Sequence, residues 1–183
     1  MRKFTPLAAA LALAAAPAAF AAAKTPMVGG AAMYPSRNIV ENAAQSKSHT
    51  TLVAAVKAAD LAGTLSGAGP FTVFAPTNAA FGKLPAGTVD TLLRPENKAM
   101  LQSVLTYHVV PGRVSAGQLT ARIKAGRGMA KLATVQGGTL TARLVGGKVV
   151  LTDGKGGRAT VTQADVFQSN GVIHVTDAVS LPR

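Results

Sequence analysis

The residues able to do acid–base, nucleophilic or metal chemistry are few in this chain and do not cluster along it. Of 183 residues, seven are acidic, three are histidine and none is cysteine. No short motif for a serine nucleophile, a zinc-binding histidine pair or a phosphate-binding loop is present, and the acids form no pair suited to general acid–base catalysis. The sequence therefore predicts a non-catalytic protein with no cofactor.

Three separated residues, His108, His174 and Asp177, come nearest to a metal-ligand set. They have none of the local spacing that zinc sites show. His174 lies in the apolar run GVIHVTD, where its ring points to the opposite side of a strand from Ile173 and Val175. We therefore predict hydrogen-bonded structural histidines and no bound metal.

Positive charge is concentrated in one segment. The formal net charge is +12, and residues 113–158 hold nine lysines and arginines against one acid, Asp153. Such a field favours polyanions, for example acidic polysaccharide, lipopolysaccharide, anionic host glycan or extracellular DNA; alternatively, it only keeps a secreted protein soluble. The segment has no aromatic residue for base stacking, so sequence-specific nucleic-acid binding is not expected. The candidate interaction residues are Arg143, Lys148, Lys155 and Arg158.

The first residues have the pattern of an export signal. Arg2 and Lys3 precede an apolar, alanine-rich run, and small residues follow at the spacing that a signal peptidase requires. The run is shorter than the ~20 apolar residues of a membrane anchor. We predict a signal peptide over residues 1–23, a flexible mature N-terminus over 24–35, a single domain over 36–183 and no later membrane span. The expected location is the periplasm, the cell surface or the medium.

Helical patterns dominate the first half of the predicted domain. Asn38 and Glu41 have the spacing of a capping box, and a second helix follows Ser48. Aromatic and β-branched residues predict a strand over residues 71–75, followed by a turn and a short helix start at 79–81. A longer helix begins at Pro95, with a buried stripe of Met100, Leu101, Val104 and Leu105.

The last third of the chain is rich in strand patterns. Gly146 and Gly147 accept the positive φ of a type I′ turn. Pairing outward from this turn separates a core side from a polar side. The core side holds Leu140, Ala142, Leu144, Val149 and Leu151; the polar side holds Thr141, Arg143, Lys148 and Thr152, with Val145 and Val150 among them. Helices first and a sheet last predict an α+β domain.

Three sequence blocks occur in order: TVFAPTNAAF at residues 72–81, LTYHVVPG at 105–112 and FQSNGVIHVTDAV at 167–179. Together they resemble the fasciclin domain, an extracellular adhesion module, over roughly residues 36–182, the length of one domain. The resemblance implies a single-domain, secreted, bacterial-type member. Its fold would be fasciclin-like, with N-terminal helices packed on a C-terminal β-rich wedge or sandwich.

Two motifs of the family are linked to integrin-dependent adhesion in animal fasciclin proteins. One is the Tyr-His pair, here Tyr107 and His108, and the other ends in an Asp and apolar residues, here Asp165 and Val166. Glutamine and alanine precede Asp165, where the family usually has an acidic residue and proline. These motifs are interaction sites or structural elements, and their apolar neighbours favour the structural role. Structural roles are also predicted for Thr77, Asn78, His174 and the turn signal Asn170 and Gly171.

The resulting functional prediction is an exported, non-catalytic module for adhesion or surface interaction. Its partner would be an anionic polysaccharide, lipopolysaccharide or another cell-surface or matrix polymer. The alternative is a periplasmic carrier of a small apolar or anionic ligand, with a cleft beside Tyr107 and His108. A carrier should have a deep apolar pocket, whereas an adhesion module should have a basic face and no enclosed cavity.

Overall fold

Helices occupy most of the first half of the molecule and strands most of the second. The computed structural model describes residues 25–183. Its helices are α1 (Ile39–Gln45), α2 (Thr50–Ala58), α3 (Ala62–Ser66), α4 (Asn78–Gly82), α5 (Thr88–Leu92), a 3₁₀ turn (Pro95–Asn97), α6 (Lys98–Tyr107) and α7 (Ala116–Ala125). Its strands are β1 (Met27–Val28), β2 (Ala31–Ala32), β3 (Phe71–Pro76), β4 (Val109–Pro111), β5 (Met129–Ala133), β6 (Thr139–Val145), β7 (Lys148–Thr152), β8 (Arg158–Gln168) and β9 (Gly171–Thr176).

Capping boxes stand at the start of two of the described helices. At α1, Asn38 Oδ1 accepts from Glu41 N and Glu41 Oε2 accepts from Asn38 N, each at 2.9 Å. The predicted capping box is therefore confirmed. The start of α7 has a second box, which the sequence analysis missed, between Ser115 and Gln118. Each box provides partners for backbone groups that have none within the helix.

Seven strands form one mixed sheet in the order β4-β3-β9-β8-β7-β6-β5. Strands β3 and β9 are parallel, and the other neighbours are antiparallel. The amide of Val135, just after β5, donates to the carbonyl of Val109 in β4 at 2.8 Å. The two edges of the sheet thus come together, and the sheet approaches a closed barrel.

The sheet separates two apolar clusters, because successive side chains of a strand point to opposite sides. Val73 and Ala75 of β3 join the cluster beneath the N-terminal helices. Phe74 joins the second cluster, between α7 and strands β5–β8. All six residues of β9 are buried, as expected of a strand covered on both faces. The α+β class that the sequence predicted is confirmed.

The N-terminal segment differs from the flexible stretch that the sequence predicted over residues 24–35. Strands β1 and β2 form a short hairpin. Val28 and Met33 are 6% and 1% exposed and belong to the first apolar cluster. The segment lacks a strand pattern of its own, and its order comes from burying these two side chains.

The helix after Pro95 also differs from its prediction. Its first turn is 3₁₀, and Met100 is 57% exposed rather than buried. Leu101, Val104 and Leu105 form the buried stripe as predicted.

No helix within residues 25–183 is long and apolar enough to cross a membrane. The predicted signal peptide lies outside the described residues.

Candidate functional site

The hairpin of β6 and β7 presents cations on its outward side. Gly146 and Gly147 have φ of +57° and +79°, and Val145 pairs with Lys148 across this turn. Arg143 pairs with Val150, so Arg143 and Lys148 are diagonal neighbours on one side. The opposite side carries the five predicted core residues, of which Leu144 is half-buried and the others are buried.

The neighbouring strands extend this outward side in both directions. Thr152 of β7 pairs with Arg158 of β8 and with Thr141 of β6. Thr141 in turn pairs with Lys131 of β5. Lys131 was not among the predicted interaction residues, although the alternation of MAKLA, with Ala130 and Leu132 buried, would have placed it on this side.

We define the basic face as Lys131, Arg143, Lys148 and Arg158 together with Lys155, which lies in the loop after β7. All five residues are exposed. None of them forms an ion pair with an acid among residues 25–183. Their charges are therefore directed to solvent and not neutralised within the described part of the protein.

Tyr107, at the end of α6, connects two loops below the basic face. Its side chain is 1% exposed. The hydroxyl donates to the carbonyl of Thr139 at 2.8 Å and accepts from the amide of Gly154 at 2.9 Å. Burial raises the pKa of the phenol, and the hydrogen bond from Gly154 acts in the opposite direction.

His108 is enclosed in the same region and has both ring nitrogens engaged. Nδ1 lies 2.8 Å from the carbonyl of Val104, to which it donates, and Nε2 accepts from the amide of Ser180 at 2.9 Å. Burial lowers the pKa of the imidazole, while the Val104 carbonyl and the charge of Asp153 act against that shift. The ring is neutral and holds the last residues of the domain against α6.

The second family motif lies at a bulge in β8. Asp165 has a φ of +57°, and its Oδ1 accepts from the amide of Ala116 at 2.7 Å, at the start of α7. Val166 is fully buried in the first apolar cluster. Asp165 itself is half-buried, and the following Phe167 is 40% exposed.

His174 lies opposite that bulge. Its Nδ1 accepts from the amide of Asp165 at 3.3 Å, and its Nε2 is 2.8 Å from the carbonyl of Val114. Its ring stacks on Phe74 with 5.5 Å between centroids. Burial lowers its pKa, and contacts with Val114 and Asp165 oppose that effect.

Thr77 and Asn78 connect β3 to the helices. Thr77 Oγ1 caps α4 by accepting from Ala80 N at 3.2 Å. The side chain of Asn78 reaches the start of α2, where it accepts from Thr51 N and donates to the carbonyl of Lys47. One dipeptide thereby sets the position of α2 relative to the sheet.

Asn170 connects three separate segments. Its Oδ1 accepts from Ile39 N at 3.0 Å, and its Nδ2 donates to the carbonyls of Leu65 and Gly67. The turn residues are Ser169 and Asn170, because Gln168 pairs with Gly171. A β-carbon on Gly171 would lie 2.1 Å from the carbonyl oxygen of Phe71, so close approach of two strands, not positive φ, requires glycine there.

His49 is a buried histidine that the sequence analysis did not single out. Its Nδ1 lies 2.9 Å from Ser46 Oγ. Its Nε2 has no hydrogen-bond partner among residues 25–183. Burial lowers its pKa. In the sequence, His49 follows a serine at the start of a helix. A buried histidine and an exposed N-cap residue have the same local pattern there, so the sequence does not predict its burial.

Two cavities bear on the choice between a carrier and a surface module. An apolar cavity beside His108, between α1 and α2, has a volume of only about 40 Å³, far below the ~300–1,000 Å³ of small-ligand pockets. A second cavity of about 670 Å³ is an open polar cleft beside Tyr107 and Lys131. The large cleft is open where a carrier of apolar ligands would need an apolar enclosure, while its size and lining do not decide between a surface module and a carrier of anionic ligands.

Helices packed against a nearly closed mixed sheet, with buried Tyr-His and Asn-Gly motifs, define a class of α+β module. The sequence profile of the fasciclin domain matches residues 47–182. The chain belongs to the fasciclin domain family.

Relatives in two bacterial groups support this assignment. Protein sll1483 of Synechocystis is 52% identical over 159 residues, which cover 87% of this chain and 81% of that protein. The immunogenic protein MPB70 of Mycobacterium bovis is 37% identical over 138 residues, covering 73% of this chain and 63% of that protein.

A solved structure has the same fold. The FAS1 domain pair of the insect cell adhesion molecule Fasciclin I superposes with a TM-score of 0.69 at 18% identity. The match covers 79% of this chain and 51% of the insect chain.

Proposed function

We propose that this protein is an exported, non-catalytic surface-interaction module that binds an anionic envelope or matrix polymer through its basic face. The observation that carries the proposal is the joint outward placement of Arg143, Lys148, Lys155 and Arg158, none of which has an acidic partner among residues 25–183. A polymer with a regular array of negative charges can contact several of them at once.

Electrostatics determines what kind of binding this surface supports. Each exposed cation contributes little alone, because water and salt screen it. A polyanion engaging several cations releases its condensed counterions, so affinity falls steeply as salt rises. The surface therefore favours charge density over any single chemical group, which fits acidic polysaccharide better than a unique protein epitope.

Export is part of the same proposal. It rests on the basic start, apolar run and small residues over 1–23. It is supported by similarity to proteins such as MPB83 of Mycobacterium bovis, a cell surface glycolipoprotein that is 36% identical over 123 residues.

We assign the family motifs a structural role. Tyr107, His108 and Val166 are 1%, 3% and 0% exposed, and Asp165 is bonded to the start of α7. A partner reaching the side chains of His108 or Val166 would have to open the fold.

The test is retention on immobilised heparin and on immobilised alginate across a salt gradient. Arg143→Glu/Lys148→Glu should elute at clearly lower salt than the native protein. Lys47→Glu/Lys57→Glu is the matched control, since it makes the same change in net charge at exposed positions on the helical side. Equal elution of both double variants would mean that only net charge matters, and the basic face would not be a binding site.

A further inference from the structure

A polar cleft adjoins the basic face where the β5–β6 connection meets the loop after β7. Its volume is about 670 Å³, within the ~300–1,000 Å³ range of small-ligand sites. It is open to solvent and is lined by Lys131, Thr139, Thr141, Gly138 and Gly154, among others. Of the family-motif residues, Tyr107 lines the cleft and lies beneath it.

Tyr107 holds the walls of this cleft in place. Its hydroxyl joins the carbonyl of Thr139 on one wall to the amide of Gly154 on the other. A β-carbon on Gly138 would lie 2.7 Å from the Tyr107 ring. The two walls are thus packed and bonded to one buried phenol, so the cleft is preorganised.

The groups that the cleft offers to a ligand are cations and hydroxyls. Lys131 has no acidic partner among residues 25–183, and the described contacts give the hydroxyls of Thr139 and Thr141 no hydrogen bond. Asp153 also lines the cleft. Its carboxylate accepts from the amides of Lys155, Gly157 and Leu181, so its oxygens are engaged by the protein, and the cations Lys131 and Arg183 that also line the cleft outnumber it.

The side chains that line the cleft indicate which class of ligand it can bind. Ammonium and hydroxyl groups suit carboxylates or sulfates that are carried beside hydroxyls. A neutral sugar carries no negative charge for Lys131 to bind, and the Tyr107 ring, at 1% exposure, offers little surface to pack against. The cleft therefore favours acidic over neutral sugar units.

The cleft and the basic face are continuous. Lys131 and Thr141 line the cleft, and they also begin the cross-strand row that runs through Thr152 to Arg158. Neighbouring strands are about 4.8 Å apart, so this row spans about 14 Å. An extended polymer lying along the row would have one of its units at the cleft.

We propose that the cleft is a binding subsite for a short run of acidic sugar units, and that the rest of the same anionic polysaccharide lies along the basic face. This inference rests on the proposed function, because it narrows the proposed partner from polyanions in general to acidic polysaccharides. Lys131 binds the acidic group, and Thr139 and Thr141 bind the sugar hydroxyls.

The experiment uses a tetramer of galacturonate, which has a carboxylate on every sugar, and neutral maltotetraose as its counterpart. Binding to the purified protein is measured by calorimetry. The native protein should bind the galacturonate tetramer and not maltotetraose. Thr141→Trp, which fills the cleft without changing charge, and Lys131→Gln should each weaken tetramer binding by at least about tenfold.

Matched variants separate the cleft from general effects. Thr162→Trp adds the same bulk at an exposed position of β8 outside the cleft, and Lys124→Gln removes an exposed cation of α7. Both should bind the tetramer like the native protein. Unchanged binding by Thr141→Trp, or absence of tetramer binding by the native protein, would overturn the subsite.

The polymer assay keeps this outcome distinct from failure of the proposed function. Suppose the protein is retained on immobilised polygalacturonate through Arg143 and Lys148 but does not bind the tetramer. The basic face is then a binding site and the cleft is not a subsite. If neither long polymer nor tetramer binds, both fall.

Discussion

At the scale of single residues, side chains of the family motifs join separate segments of the fold. Asn170 joins β9 to α1 and α3 through three hydrogen bonds, and Tyr107 joins two loops through two. Such side chains are costly to remove, because a buried donor or acceptor that loses its partner keeps its full desolvation penalty.

The first prediction concerns Asn170, which is 6% exposed. Asn170→Ala should lower the free energy of unfolding by at least about 2 kcal/mol, since the amide of Ile39 and the carbonyls of Leu65 and Gly67 all lose their partner. Urea unfolding measures this. Ser169→Ala, the exposed neighbour in the same turn, should change it by less than about 0.5 kcal/mol. Similar midpoints for both variants would remove Asn170 from the structural account.

The second prediction concerns the two tyrosines of the chain. Tyr107→Phe keeps the ring but leaves the Gly154 amide and Thr139 carbonyl without the hydroxyl, at a cost of about 1–3 kcal/mol. Tyr34→Phe is the control, because Tyr34 is 45% exposed. Both are compared by thermal and urea unfolding. A Tyr107→Phe protein as stable as the native one would argue that the hydroxyl serves a partner.

At the scale of elements, short-range sequence patterns correctly predicted the features that depend on interactions between residues close in sequence. The capping box at Asn38 and the faces of the β6–β7 hairpin follow from short-range spacing, and both are confirmed. The β1–β2 hairpin and the exposure of Met100 depend on which side chains are buried by distant parts of the chain. Local hydrophobic periodicity carries no information about such contacts. The sequence placed Arg143 and Lys148 on one side of the hairpin; the alternation of MAKLA also favours an outward Lys131, but its position beside Thr141 depends on the register of the β5–β6 pairing.

The third prediction tests whether the N-terminal hairpin is part of the core. Met33→Ala should lower the free energy of unfolding by about 2 kcal/mol or more, since Met33 is 1% exposed and truncation leaves a cavity. Met27→Ala, a matched change in the same hairpin at a 57% exposed position, should have little effect. If neither variant changes the urea midpoint, residues 27–33 are flexible, as their composition suggested.

At the scale of the whole molecule, stability has to come from packing. The chain has no cysteine, and the three ion pairs found within residues 25–183 are all at exposed positions, where such pairs add little. Two apolar clusters on either side of β3 and β9 provide the remainder. The three histidines lie within or against these clusters, with exposures of 3%, 3% and 1% for His49, His108 and His174.

This burial makes stability depend on pH. The pKa of each histidine is lowered from its ordinary value of 6.5, chiefly because burial removes solvent from the charged ring. Below about pH 6.5 the unfolded chain therefore binds protons that the folded chain does not, and the stability present above that pH is lost as pH falls toward the folded-state pKa values. Each histidine contributes up to about 1.4 kcal/mol per pH unit to this loss.

Urea unfolding at pH 8, 7, 6 and 5 tests this dependence. The free energy of unfolding should be nearly constant from pH 8 to pH 7 and fall progressively below 6.5. His49→Gln removes one titrating ring whose Nε2 lacks a partner among residues 25–183, so its stability should fall less steeply over the same range than that of the native protein. A native protein equally stable at pH 8 and pH 5 would mean that the buried rings accept protons as readily as exposed ones, and the packing around them would have to admit water.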